Sequence, residues 1–209
     1  MTKVDKSQYS KSEWRKIRDE RRKTKKTQTR DRLKQKVRDN IELPQSTPKK
    51  KPAFVLGNGT SRENISVENL LKKGIVYGCN ALYRTHAPHY LIAVDPKMVS
   101  EICKTDYQLK HSVWTNRNRS FTQFSNLNYF QPSKGWSSGP SALNLACEHN
   151  HSTIYILGFD YRGLADGKKV NNIYADTFNY KRSTDNATFY GNWLRQTKTV
   201  VRNNPSVNF

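Results

Sequence analysis

An α/β fold of Rossmann type, a mostly parallel sheet flanked by helices, is what most of this sequence predicts, and three observations predict it. Past Pro52, short apolar runs alternate with helix-like segments, the pattern of strands and crossover helices around a parallel sheet. The run Thr153-Ile154-Tyr155-Ile156-Leu157 is apolar almost throughout, as a strand covered on both faces requires. Polar or glycine residues follow strand candidates directly at 57–61, Asn80, Asp95 and Asp160, and in an open parallel sheet such positions share one edge, where ligands bind.

Taken in order, Ala53-Phe54-Val55-Leu56 is the first strand candidate and ends in Gly57-Asn58-Gly59-Thr60-Ser61. Residues 67–73 read as a helix stopped by Gly74. Ile75-Val76-Tyr77-Gly78-Cys79 and Tyr90-Leu91-Ile92-Ala93-Val94 are the next two strands. Asp95 and Pro96 open a helix that runs to Lys104. Ser112-Val113-Trp114-Thr115 and Asn128-Tyr129-Phe130 are shorter strand candidates on either side of a polar loop. Ser138-Gly139-Pro140-Ser141 starts a helix with Leu143, Ala146 and Cys147 on one face, followed by the strand at 153–157. Residues 185–202 read as a last helix, and Val207-Asn208-Phe209 as the start of a strand.

The first quarter is different. The chain has 209 residues, with 37 Lys+Arg against 17 Asp+Glu and a net charge of +20. Residues 1–51 hold 19 basic and 7 acidic side chains, a net of +12, so the folded region after Pro52 carries only +8. Residues 11–40 lack Gly and Pro and permit a helix, but Trp14 and Ile17 are separated from Leu33, Val37 and Ile41 by a wholly polar stretch, which leaves no core face. One reading is a solvated extension; another is an arm for DNA or RNA, with Arg15, Lys16, Arg21, Arg22, Lys25, Lys26 and Arg30 neutralising phosphates without reading sequence. A third is docking on an acidic protein, a virion component or an anionic surface. No apolar run approaches the roughly 20 residues of a membrane span and no signal peptide is evident, so a soluble, cytoplasmic protein is expected. Cys79, Cys103 and Cys147 are too far apart for a zinc or disulfide framework and read as reduced core thiols. No metal-ligand spacing is present: His86 and His89 flank Pro88 in a loop, and His149 and His151 near a helix end read as favourable to the helix dipole.

At the shared edge, Gly57-Asn58-Gly59 allows a tight turn whose amides can face an anion, as can those of the helix starting at Ser138-Gly139. Two such loops on one edge suggest a nucleotide. The first loop is neither a Walker loop nor the three-glycine dinucleotide fingerprint.

Together, Phe54-Val55-Leu56-Gly57-Asn58-Gly59-Thr60-Ser61, Tyr77-Gly78-Cys79-Asn80-Ala81-Leu82-Tyr83, Ser137-Ser138-Gly139 and Ile154-Tyr155-Ile156-Leu157-Gly158-Phe159-Asp160-Tyr161 resemble the bacterial CMP-sialic-acid-dependent sialyltransferases. The same order of motifs is similar to that of uncharacterised-domain proteins that include motility accessory factors and archaeal 6-hydroxymethylpterin pyrophosphokinases. The resemblance covers residues 53–162 and implies a nucleotide-activated donor such as a CMP-sugar. It implies that Asn58 and Ser61 approach the donor phosphate and ribose, that Asn80 contacts the nucleotide or donor sugar, that Ser138 and Gly139 hold ribose or base, and that Asp160 closes the pocket. Tyr174 or Tyr180 would stand where such enzymes place tyrosines on the leaving phosphate.

Those sialyltransferases place a histidine base beyond the Gly-Phe-Asp block, whereas the last histidine here is His151. The proton of an acceptor would then pass to a carboxylate, with Asp160, Asp95 and Asp176 as the candidates and Asp185 beside them. Trp114, Phe121, Phe124, Tyr129, Phe130 and Trp136 read as core and lid, with base stacking beside Arg117 and Arg119 as the second option. The expectation is a nucleotide-binding, glycosyltransferase-like protein tethered by a basic arm, of a size that suits a phage-encoded family member. The alternative is a non-catalytic nucleic-acid-binding or virion structural protein that retains the fold.

Overall fold

The computed structural model describes residues 10–39 and 51–209, with the side chains of residues 25, 26 and 29–39 outside that set. The chain divides into two units, Met1–Gln45 and Ser46–Phe209. In the first, α1 (Lys11–Asp39) is a single helix. Ser10 and Glu13 form a capping box at its start: the Glu13 amide donates to the Ser10 hydroxyl at 3.3 Å, and the Ser10 amide donates to the Glu13 carboxylate at 2.9 Å. Trp14 and Ile17 are half-buried, and every other side chain described in this helix is exposed. No helix among the described residues is long and apolar enough to cross a membrane.

The second unit is an α/β Rossmann-like domain. Its strands are β1 (Ala53–Leu56), β2 (Ile75–Cys79), β3 (Tyr90–Ile92), β4 (Val113–Thr115), β5 (Leu127–Tyr129) and β6 (Ile154–Leu157), and its helices are α2 (Val67–Lys73), α3 (Pro96–Lys104), α4 (Ser138–Glu148), the single turn α5 (Leu164–Gly167) and α6 (Gly191–Asn203). The sheet is wholly parallel in the order β5-β4-β3-β2-β1-β6. From β1 the chain steps outward strand by strand to β5, then returns through α4 to add β6 on the other side of β1. The two-residue period of a strand splits its side chains between two cores. Ala53, Val55, Tyr77, Cys79 and Ile92 pack with Leu143, Ala146 and Val200 of α4 and α6, whereas Leu56, Val76, Leu91 and Val113 pack with Val67, Met98 and Ile102 of α2 and α3.

The helix starts follow local chemistry. Ser66 caps α2 by accepting from Asn69 N–H at 3.2 Å, and Asp95 caps α3 by accepting from Lys97 N–H at 2.8 Å with Pro96 behind it. The last helix departs from expectation: α6 begins at Gly191, not at 185. Residues 185–187 pair instead with 168–170, through Val170 N–H to Asp185 C=O at 3.2 Å and Ala187 N–H to Lys168 C=O at 2.9 Å. Val207-Asn208-Phe209 contributes one parallel bridge, Asn208 to Thr153, on the outer side of β6. The three cysteines are buried and unpaired, and burial pushes the thiols of Cys79 and Cys147 up to about 12 and that of Cys103 to about 11.

His149 and His151 are not the helix-end cations that the sequence suggests. Both bond to the buried Tyr77 hydroxyl, at 2.7 Å through His149 Nδ1 and 2.9 Å through His151 Nε2, and His151 Nδ1 lies 3.0 Å from Lys51 C=O. A carbonyl only accepts, so His151 carries its proton on Nδ1, takes the Tyr77 proton at Nε2, and leaves His149 Nδ1–H to donate to the tyrosine oxygen. His149 Nε2 is then a buried acceptor without a partner. Burial, with His151 beside it, pushes the His149 imidazole down to about 4, and burial lowers His151 as well.

A histidine whose folded pKa lies below its unfolded value of about 6.5 binds fewer protons folded than unfolded, so stability is full above that value and is lost as pH falls toward the folded pKa. The melting temperature is expected to drop between about pH 6.5 and about 4. His149→Gln keeps an N–H for Tyr77 and cannot titrate, so its melting temperature falls less over that interval; equal falls in the two proteins would remove His149 from the transition.

Candidate functional site

β1 and β6 are adjacent, yet the helices that follow them pack on opposite faces: the chain after β1 leads to α2 in one core, and the chain after β6 leads to α6 in the other. At such a switch point the loops part and open a crevice beyond the carboxyl ends of the strands. A cleft of about 660 Å³ lies there. The structure brings Gly57, Asn58, Gly59, Asn80, Asp95, Ser138, Gly139, Asp160 and Tyr180 together on its lining.

The loop after β1 is held to the loop after β6. Gly57 N–H donates to Leu157 C=O at 2.8 Å and Gly59 N–H to Gly158 C=O at 2.9 Å. A Cβ at Gly59 would overlap the Asp160 carboxylate, and Gly158 has φ +70°, a left-handed backbone that glycine adopts without strain. Asp160 accepts from Ser61 N–H at 3.1 Å, from the Ser61 hydroxyl and from Asn171 Nδ2 at 3.0 Å. Its carboxylate is occupied in tying three segments together. Ser61 is turned onto that carboxylate and lies outside the lining.

Beneath this loop is Arg62, 5% exposed. Its Nε donates to Gly57 C=O, a terminal nitrogen lies 3.3 Å from the Tyr174 hydroxyl, and the guanidinium sits 6.0 Å from the Tyr174 ring centroid. Among the described residues no carboxylate lies within ion-pair distance of it. A buried cation without a counter-charge raises the local potential and favours an anion nearby. Tyr174 therefore supports Arg62 from behind and is not on the cleft lining.

Asn58 and Tyr180 meet at the floor. The Tyr180 hydroxyl accepts from Asn58 Nδ2 and from Ala81 N–H, each at 3.3 Å, while Asn58 Oδ1 is buried without a partner. Whichever way the amide is turned, one of its two polar atoms is left unpaired. Burial pushes the Tyr180 phenol up, so it stays a neutral hydroxyl.

On the opposite wall, Asn80 holds a left-handed backbone at φ +53° and its Oδ1 accepts from the Ser138 hydroxyl at 2.9 Å. Ser138 Oγ in turn accepts from Val94 N–H at 3.2 Å, so the ends of β2 and β3 are joined to the start of α4 through one serine. The Ser137 side chain makes no cap bond to α4 and Pro140 has no N–H, leaving the first-turn amides of Ser138 and Gly139 without intrahelical acceptors.

The remaining wall comes from residues 170–188, of which the sequence singles out only Tyr174, Tyr180, Asp176 and Asp185. Asn171 Oδ1 accepts from Thr60 N–H at 2.9 Å, and Ile173 N–H donates to Asn58 C=O at 2.9 Å. Arg84 pins the segment by donating to Thr177 Oγ1 at 2.9 Å and Phe178 C=O at 2.7 Å, and it pairs with Glu101 at 2.7 Å. Burial alone would raise the Glu101 carboxyl, but bonds from Tyr83, Arg84 and Asn179 hold it below the usual carboxylate range. Asp176 stands outside the cleft lining, exposed, with its carboxyl lowered by its bonds from Ser183. Asp95 lines the cleft at its exposed rim.

Arg62 and Asn171 were missed in the sequence. Arg62 is the one charged residue between β1 and Glu63, a placement that marks a loop worth noting. Asn171 offers no pattern at all. Among the described residues no three His, Cys, Asp or Glu side chains gather around a common point, so the polar lining is chiefly amide and hydroxyl. In the other unit, Arg15, Lys16, Arg21 and Arg22 are exposed on α1, whereas the side chains of Lys25, Lys26 and Arg30 lie outside the described residues.

The sheet and its crevice define a Rossmann-like α/β protein with a cleft at the switch point. No family model, curated protein or solved structure matches the chain.

The tie between the two loops is testable by a double-mutant cycle. Ser61→Ala and Asp160→Ala are each expected to lower the unfolding free energy by about 1–3 kcal/mol, the range for hydrogen bonds to a charged group. The double variant is expected to lose less than the sum, because both changes remove one interaction. Additive losses in urea titrations would show that Ser61 and Asp160 do not act together.

Proposed function

We propose that the protein binds a nucleotide-activated donor in the switch-point cleft and transfers its sugar or a related group, in the manner of a glycosyltransferase. One observation carries this reading: unpaired amides of Ser138 and Gly139 and the glycine turn at 57–59 line one crevice, and the buried charge of Arg62 lies behind that turn on the Gly57 carbonyl. A phosphorylated ligand there gains hydrogen bonds from groups that are already fixed, and a departing phosphate is stabilised without reorganisation. The unpaired amide atom of Asn58 offers a partner to a ribose hydroxyl or phosphate oxygen. Asp95 is the lining carboxylate not consumed in tying loops together, and it is the candidate for receiving an acceptor proton.

The test is thermal shift with CTP, CMP, UDP and GDP. At ten times its dissociation constant a nucleotide that binds only the folded chain adds about 1.4 kcal/mol, which raises the melting temperature by roughly 3–6 °C. Asn58→Ala is expected to remove the response. If no nucleotide moves the transition, the cleft does not take this ligand. Where transfer is detected, Asp95→Asn should lower its rate while leaving the thermal shift intact.

A second reading concerns α1, whose exposed Arg15, Lys16, Arg21 and Arg22 form no ion pair among the described residues. Such a helix suits a polyanion and would tether the protein to nucleic acid or an acidic assembly. Replacing the four by Gln is expected to reduce the slope of log binding constant against log salt by about 3 for a single strand. An unchanged slope would leave the helix without that partner.

A further inference from the structure

Beside the cleft, the start of α6 carries an aromatic cluster that packing does not require. Phe189 is 77% exposed, Trp193 40% and Tyr190 37%. The Phe189 and Tyr190 rings are stacked at 6.4 Å with 20° between their planes. Exposed aromatics cost free energy in water unless something covers them, and three within five residues form a patch rather than scatter. Tyr190 and Trp193 also line the cleft, Trp193 on the same side of the helix as Val200, whereas the Phe189 ring lies over Gly191 on the outer side.

The same helix continues the surface with charge. Its inner side is buried through Gln196, Thr197 and Val200, which turns Arg195, Lys198 and Arg202 outward. These three, with Gly191, Leu194 and Thr199, line a shallow groove of about 260 Å³ that begins at the residue after Tyr190. Along the helix the cations extend over about 10 Å. Among the described residues none forms an ion pair, and the sequence from 186 to 209 contains no Asp or Glu.

We infer that the outer face of α6 binds single-stranded nucleic acid, with bases stacked on Phe189 and Tyr190 and phosphates following Arg195, Lys198 and Arg202. Flat aromatic faces next to a row of unpaired cations are the two parts that strand binding needs: stacking accepts any base and the cations track the backbone. A duplex keeps its bases inside and would leave the rings unused. An acidic peptide would satisfy the cations and leave the stacked pair uncovered. This surface belongs to the second unit and not to α1, and its occupancy does not depend on a nucleotide in the cleft.

The experiment uses the full chain and oligothymidylate, with a bromouracil-substituted version for photocrosslinking. Crosslinks are expected at Phe189 or Tyr190, and Phe189→Ala is expected to remove most of them. Arg195→Ala, Lys198→Ala and Arg202→Ala together should lower crosslinking at these rings at least tenfold and reduce the salt slope by about 2, from three contacts at about 0.7 each. Nucleotide-induced thermal shift should survive the triple change, which separates failure of this surface from failure of the cleft. Crosslinks confined to residues 1–51, equal crosslinking with a duplex, or crosslinking at Phe189 that the triple change leaves intact would each overturn the assignment.

Discussion

The parallel pairing of β1 with β6 is the constraint from which the rest of the domain follows. Two neighbouring strands with a common direction end at the same height, and their chains then depart toward opposite faces because the helices that follow, α2 and α6, lie on opposite sides of the sheet. The gap between the departing loops cannot be filled by either helix. What closes its base is polar: the Gly59 amide on Gly158, the Asp160 carboxylate on Ser61 and Asn171, and the Arg62 guanidinium on Gly57. These bonds satisfy buried backbone and charged groups at a place where apolar packing cannot reach, and they do so only with glycine at 57 and 59.

The positions of the strands and most helix starts were legible because burial writes itself into the sequence. β1 and β2 are apolar on both sides and are bounded by glycine or polar residues, and Ser66, Asp95 and Pro96 carry local capping chemistry that owes nothing to the fold. The strand order was not legible. Nothing within 154–157 says that it pairs with β1 and not with β5, since the choice is made by the path of α4 across the far face. The start of α6 was misplaced for a related reason: residues 185–187 bond to 168–170, a partner seventeen residues away that no helical period reveals.

The site was legible where it depended on strand ends and illegible where it depended on contacts. Asn58, Asn80, Ser138 and Asp160 could be placed at one edge because each follows or faces a strand terminus. The burial of Arg62 and the double acceptance by Asn171 come from tertiary neighbours, and the sequence around them has no period or cap to betray them. His149 is the opposite case. Its helix-end position invited a charge, but the enclosure by Tyr77, Tyr90 and Trp114 sets its protonation instead.

β6 is the outermost strand on its side, with a single bridge from Asn208 on its far edge, and the cleft is therefore only one strand from the margin of the sheet. Its outer wall is supplied by residues 158–190, which run between β6 and α6 and are attached through side chains such as Asn171 and Arg84. Variation in its exposed stretch at 181–189, which sends no side chain into either core, leaves the two apolar layers undisturbed. An architecture of this kind lets evolution exchange what the crevice accepts while inheriting the scaffold beneath it unchanged.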